Sequence, residues 1–225
     1  MSRDPYEDLR VGFTAAVSHE LRTPLARLLA LIDGAALPGA DPRGALEQAR
    51  EEVERMDELI DDVLFLSELE TGREVVSLGT TEAVPVVREV VERLAESAER
   101  AGVEFRIETE DERLELPLRA RMLRIVLQNL AENALRHAGD GATCVFSLRR
   151  DDGGRILSAR DDGAGVTDED LPRLFERFYR ADRARTTRGS GLGLAIVKHV
   201  VEAAGGTVEA LGGAEGLEIR CHFHS

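Results

Sequence analysis

The sequence predicts a multidomain α+β protein in which an N-terminal antiparallel helical hairpin precedes an α/β sandwich with a mixed sheet. Three observations lead there. Between Leu9 and Leu69 apolar residues recur only at helical spacings, with one short interruption. From about Thr71 onward helical stretches alternate with stretches of period two, and hairpin-like turns such as "RDDGGR" separate them. A chain of 225 residues with 43% hydrophobic content can bury a core in each of two parts. The expected domains are 1–72 for the hairpin and 73–225 for the sandwich.

The first helix runs from Leu9 to about Ala36, with Leu9, Phe13, Ala16, Val17, Leu21, Leu25, Leu28 and Ile32 on its apolar side. "LPGADPRG" stops it, and Asp41 followed by Pro42 fits an N-cap with proline at the first helical position. The second helix, "ALEQAREEVERMDELIDDVLFLSELE", places Val53, Met56, Leu59, Ile60, Val63, Leu64 and Leu66 on one face. Two such helices leave an outer apolar stripe uncovered. A second copy of the chain is the simplest cover, so a homodimer with a four-helix bundle is expected.

In the second part, "VVSLGTT" reads as a strand, "EAVPVVREVVERLAESAERAG" as a helix ending at Gly102, and "VEFRIETE" as a strand of period two. A helix follows from about Arg119 to His137. Strands are expected at "TCVFSLRR", "RILSARDD", "GTVEALG" and "GLEIRCHFH", with a helix at "GLGLAIVKHVVEAAG".

Composition removes several function classes. A formal net charge of −14 argues against nonspecific binding to nucleic acid or anionic lipid, which relies on basic patches. No apolar run approaches the ~20 residues that cross a bilayer, and "MSRDPYEDLR" lacks the layout of a signal peptide. A cytoplasmic chain with no membrane contact of its own is expected. Cys144 and Cys221 lie far apart without metal-ligand spacing and read as reduced, buried thiols.

The chemistry-bearing residues fall into five groups. His19 flanks the apolar side of the first helix, with Glu20 beside it and Thr23 one turn on. A boundary histidine is the plainer reading of His19 alone. With Glu20, one ring nitrogen can surrender its proton while the other attacks an electrophile, and Pro24 removes a helical hydrogen bond just beyond. Asn129 and Asn133, four residues apart, share a helix face, and their amide oxygens suit Mg²⁺ shared with phosphates; Arg136 and His137 follow one turn along. In "RDDGAGV", Asp161 precedes Gly163 and Gly165, which reads either as a strand-to-helix turn or as a carboxylate accepting from the amino group of a planar base. "RGSGLGLAIVK" leads Gly189, Gly191 and Gly193 into a helix whose first N–H groups can cradle phosphate oxygens, and its spacing is neither a Walker A loop nor a dinucleotide fingerprint. Between the two lies "LFERFYRADRARTTRGS", a flap-like composition rooted by Phe175 and Phe178, which serve equally well as core residues.

In this order, "SHELRTP", "NLAENALRH", "DDGAG", "LFERFYR" and "GSGLGLAIVK" resemble the transmitter region of the sensor histidine kinases of two-component signalling, over nearly the whole chain. The resemblance implies a dimerisation and phosphotransfer hairpin joined to an ATP-binding domain of the Bergerat type shared with Hsp90, gyrase and MutL. It implies that His19 is the phosphoacceptor, Glu20 its base, and Thr23 the residue that positions water for dephosphorylating the partner. Asn133, with Asn129 close by, would hold Mg²⁺; Asp161 would read the adenine in a pocket lined by Gly163 and Gly165. Gly189, Gly191, Gly193 and Leu194 would flank the phosphates, Phe175 and Phe178 would root the lid, and Arg136, His137 and Arg180 would touch phosphate or base. The implied activity is autophosphorylation from ATP and transfer to an aspartate of a response regulator. The rival readings are a catalytically silent dimeric scaffold of the same fold, or an ATPase clamp or serine kinase, against which the helical hairpin argues.

Overall fold

The N-terminal unit is built from two long helices whose apolar periodicity allows nothing else. In the computed structural model, which describes residues 5–71, 79–151, 153–181, 189–213 and 216–224, α1 spans Pro5–Ala35 and α2 spans Pro42–Glu70. Pro24 sits inside α1 without ending it, so the Glu20 carbonyl lacks the N–H that would otherwise bond it. The expected cap is formed: the Asp41 carboxylate accepts the N–H groups of Arg43 at 3.2 Å and Gly44 at 3.1 Å, with Pro42 at the first position. One charge ties the helices together. Glu52, almost fully buried on α2, accepts from Arg55 at 2.7 Å and lies 3.6 Å from the Arg27 guanidinium on α1. Leu25, Leu29, Ile32, Leu46, Val53, Ile60 and Leu64 stay exposed, which is the outer stripe expected from the helical period.

The chain divides into two compact units, Met1–Ser67 and Glu68–Ser225. The division falls inside α2, a few residues before the boundary expected at 72. In the second unit β1 (Thr81–Glu82) leads into α3 (Ala83–Arg93) and α4 (Ala95–Ala101). These replace the single expected helix; the i→i−4 bonds of Leu94 and Ala98 carry across the junction. Gly102 ends α4 in the left-handed region at φ +67, a geometry that favours glycine. Then follow β2 (Glu104–Thr109), β3 (Glu115–Leu116), α5 (Ala120–His137), β4 (Thr143–Asp151), β5 (Gly154–Asp161), α6 (Gly193–Ala203), β6 (Thr207–Gly213) and β7 (Gly216–His224), with a 3₁₀ turn at Leu171–Arg173. Most of the strand expected at "VVSLGTT" and most of the arginine-rich part of the flap lie outside the described residues.

The main sheet is mixed, in the order β2-β4-β5-β7-β6. β2 and β4 run parallel because α5 crosses between them, and the other pairs are antiparallel. Alternation sorts the faces of β4 and β7, while the central β5 is buried on both faces from Ile156 to Ala159. Cys144, Phe146 and Leu148 of β4 point inward with Leu157 and Ala159 of β5 and with Leu217, Ile219, Cys221 and Phe223 of β7. α3, α5 and α6 supply the other half of that core through Val87, Leu127, Leu130, Val197 and Val200. β1 pairs with β3 in a separate two-stranded ribbon beside the sandwich.

Phe146 is fully buried at the centre of this layer. Phe146→Ala is expected to destabilise the sandwich by about 3–5 kcal/mol, read as a lowered urea midpoint by far-UV circular dichroism with the slope retained.

Candidate active site

His19 projects from α1 into solvent. Its side chain is 76% exposed, and its Nδ1 lies 3.7 Å from Glu20 Oε1, too long for a hydrogen bond but within reach of one small side-chain rotation. Thr23 stands one turn on, and His19, Arg22, Thr23, Ala26, Arg27 and Ala30 line a shallow concavity along the helix. A solvent-reachable imidazole with a carboxylate on one nitrogen leaves the other nitrogen as a nucleophile.

In the second unit a narrow recess, with room for about one water, opens between α5 and the middle of the sheet. Leu130, Asn133 and Ala134 of α5 line it with Cys144, Ala159, Asp161, Leu217 and Ile219. Asp161 is only 7% exposed. Its Oδ1 accepts the Gly163 N–H at 3.0 Å. Burial pushes its pKa above the ordinary carboxylate range and the Asp162 charge adds to that, while N–H bonds from Gly163 and Leu217 oppose it. Cys144, directly across the ladder from Asp161, has its thiol pushed up to about 12 by burial and so forms a neutral wall. The result is a narrow recess of mixed polarity with a buried carboxylate in its wall. Asn133 lines it and has no side-chain hydrogen bond to the described residues.

The other end of the site is set by glycines. Asn129 donates its Nδ2 to the Ile125 carbonyl at 2.9 Å, and a Cβ on Gly193 would come within 2.5 Å of its Oδ1, so a side chain at residue 193 would displace the Asn129 amide. The first N–H groups of α6, at Gly193, Leu194 and Ala195, have no side-chain cap, while the Ser190 hydroxyl accepts from Leu192 at 3.2 Å. Those N–H groups are a ready anion cradle. Gly189 lies against the Arg136 side chain, and Arg136 in turn pairs with Glu132 at 2.6 Å. The His137 pKa is lowered, first by desolvation of its ring and then by the Arg136 and Arg180 charges, which puts Arg180 at this same end. Phe178 takes the left-handed φ of +61 and donates its N–H to the Gly191 carbonyl at 3.0 Å, and Gly191 has no room for a side chain against Phe178. Phe175 is half-buried.

Asn129, Asn133, Arg136, His137, Phe178, Arg180, Gly189, Gly191, Gly193 and Leu194 are therefore gathered around α5 and the α6 N-terminus. Gly163 and Gly165 behave otherwise. A Cβ on Gly163 would strike Ala138, and one on Gly165 would strike the Gly213 carbonyl, so what makes glycine necessary there is protein backbone; neither lines the recess. Sequence reasoning missed the apolar walls, including Cys144 and Leu217. The available signal was the period-two alternation that puts Cys144 on the inward face of its strand.

Residues 9–72 match the family described as His Kinase A (phospho-acceptor) domain. Residues 118–224 match the Histidine kinase-, DNA gyrase B-, and HSP90-like ATPase family. A phospho-acceptor hairpin followed by an ATPase-type sandwich defines the class. The chain belongs to the sensor histidine kinases and corresponds to their two-component transmitter region. It is 34% identical to the sensor-like histidine kinase SenX3 of Mycobacterium tuberculosis over 90% of its own length and 50% of the relative's. It is 34% identical to the sensor histidine kinase CusS of Escherichia coli over 91% of this chain and 43% of that one. The chain thus spans half or less of these relatives. The structure of histidine kinase ThkA in complex with response regulator protein TrrA shares the fold, with a TM-score of 0.78 at 21% identity over 99% of this chain and 64% of that one. Among the described residues no helix is long and apolar enough to cross a membrane, and no cluster of three His, Cys, Asp or Glu could hold a metal.

The raised Asp161 pKa has a definite sign. Between the ordinary carboxylate pKa and the raised folded value, folding takes up a proton, so stability falls as pH rises through that window. Asp161→Asn is therefore expected to melt higher than the parent near neutral pH, with the difference closing in strong acid; melting curves across pH check it.

Proposed function

We propose that this chain transfers the γ-phosphoryl group of ATP to His19 and then to an aspartate of a response regulator. One observation carries the reading: an exposed histidine–glutamate pair on a helical hairpin shares a chain with a buried carboxylate beside Asn133, one turn of α5 from the contact of Asn129 with an uncapped helix N-terminus. The buried Asp161 carboxylate is the acceptor to which an adenine amino group would donate, and the α6 N–H groups with Arg136, His137 and Arg180 suit its phosphates. Catalysis of this kind rests on positioning and charge neutralisation. His19 Nε2, the nitrogen away from Glu20, attacks the γ-phosphorus; the bond to the ADP oxygen breaks, ADP leaves, and Glu20 accepts the Nδ1 proton.

Mg²⁺ would be held by the Asn133 amide oxygen, phosphate oxygens and water, since the described residues offer no carboxylate cluster. Bound there it would offset negative charge on the phosphates. Asn129, turned against Gly193, supports the helix contact next to it. The exposed stripe of Leu25, Leu29, Ile32, Val53, Ile60 and Leu64 supports a homodimer through the hairpin. The ThkA–TrrA complex supports a response regulator as the partner. An ATP-dependent reaction of this kind belongs on the cytoplasmic side. Thr23, exposed one turn from His19, supports an additional phosphatase role toward the phosphorylated regulator.

With γ-labelled ATP and Mg²⁺ the chain is expected to take up an acid-labile, base-stable label that His19→Gln abolishes while ATP binding persists. Label retained in that variant would move the acceptor elsewhere. Asn133→Ala is expected to weaken Mg²⁺-dependent ATP binding by at least about tenfold, roughly 1.4 kcal/mol, by calorimetry; unchanged affinity would remove the metal assignment.

A further inference from the structure

The segment between Asp161 and α6 holds a cluster of polar contacts with no assigned role. Tyr179 donates its hydroxyl to Asp170 Oδ1 at 2.5 Å. The other carboxylate oxygen of Asp170 accepts from the Thr167 hydroxyl at 2.8 Å, and the Asp170 N–H donates back to that hydroxyl at 3.3 Å. The Arg173 guanidinium lies 4.1 Å over the centre of the Tyr179 ring and pairs with Glu176 at 3.2 Å. The ring is thus held at its hydroxyl and across one face, and the 3₁₀ turn that carries Arg173 packs on β6.

This anchorage lies between two residues of the nucleotide site. On one side is Phe178, whose left-handed backbone is unfavourable for a residue with a side chain and persists only where neighbours over-determine it. On the other is Arg180, two residues beyond the Phe178 N–H bond that holds this segment against Gly191 before the start of α6. The Phe178 N–H bond to Gly191 secures this turn from the α6 side; from the opposite side the Tyr179 N–H bond to the Glu176 carbonyl at 3.2 Å and the Tyr179 hydroxyl bond to Asp170 restrain it. Losing the hydroxyl bond removes the one side-chain hydrogen bond of Tyr179 among the described residues and so loosens the backbone that carries Arg180.

We propose that Tyr179 is a positioning residue: its hydrogen bond to Asp170 fixes the backbone on which Arg180 is held at the phosphate end of the nucleotide site. The inference rests on the nucleotide reading given above. It assigns the hydroxyl a function in reading phosphate, whereas a ring packed for stability alone would serve equally well as phenylalanine.

The test is calorimetric binding of ATP and of adenosine to the full chain and its variants. Tyr179→Phe is expected to weaken ATP by about tenfold and leave adenosine within about twofold, because only the phosphate contacts lose their support. Asp170→Ala should reproduce that split, and Asp170→Asn, which keeps an acceptor oxygen for Tyr179, should restore most of the ATP affinity. In an Arg180→Ala background Tyr179→Phe should add nothing. Equal weakening of ATP and adenosine, no weakening of ATP, or full additivity with Arg180→Ala each overturns the proposal. If the parent chain binds neither ligand, the nucleotide reading itself falls. If the parent binds both and Tyr179→Phe matches it, the site stands and only the role of Tyr179 is lost.

Discussion

A carboxylate with almost no exposure, set between a helix and the centre of a sheet, is unfavourable unless something compensates for its lost water. Asp161 is that group, and the surrounding geometry follows from it. It closes β5 at the strand's last residue, across from Cys144 on β4. Its lone pairs take N–H groups from Gly163 and from Leu217, which binds the turn after β5 to the start of β7. The compensation is partial, and its pKa remains raised. A buried carboxylate in the wall of this recess can accept from the amino group of a planar base, and Asn133 of α5 lines the same recess.

The glycines divide the labour more finely than their shared spacing suggests. Gly163 and Gly165 let the chain leaving Asp161 pass against Ala138 and Gly213, so they shape the slot from behind. Gly193 and Gly191 bring α6 up to Asn129 and Phe178, which fixes where the uncapped N–H groups point. Phe178 stores the one left-handed non-glycine conformation among the described residues, at the point where the chain turns back toward α6.

Much of this was legible in the sequence. The hairpin was readable because helical period over more than twenty residues admits no other element, and Asp41–Pro42 announced the start of α2 through local chemistry alone. The order of helices and strands was readable for the same reason wherever a period extended over five residues or more. β3 and the 3₁₀ turn were not, since two or three residues carry no period. Nor was the split at Leu94, which lacks a breaking residue. The asparagine pair and the glycine run stood out because both are unusual in apolar helices and at helix starts, and the structure brings them together around α5 and the α6 N-terminus. The walls of the site did not, because Cys144, Ala159 and Leu217 look like any inward strand residue until sheet register joins them. The Tyr179–Asp170 bond spans nine residues through an irregular segment, where no periodicity predicts a partner.

The central claim is that the buried Asp161 carboxylate reads an amino group on the base. The most direct measurement compares ATP with inosine triphosphate, which carries a carbonyl oxygen where adenine carries its amino group, in calorimetric titrations of the full chain. A site built around one buried acceptor should bind inosine triphosphate at least about a hundredfold more weakly, because two acceptors would then face each other without water. Equal affinity for the two nucleotides would contradict the account and place recognition on the phosphates alone.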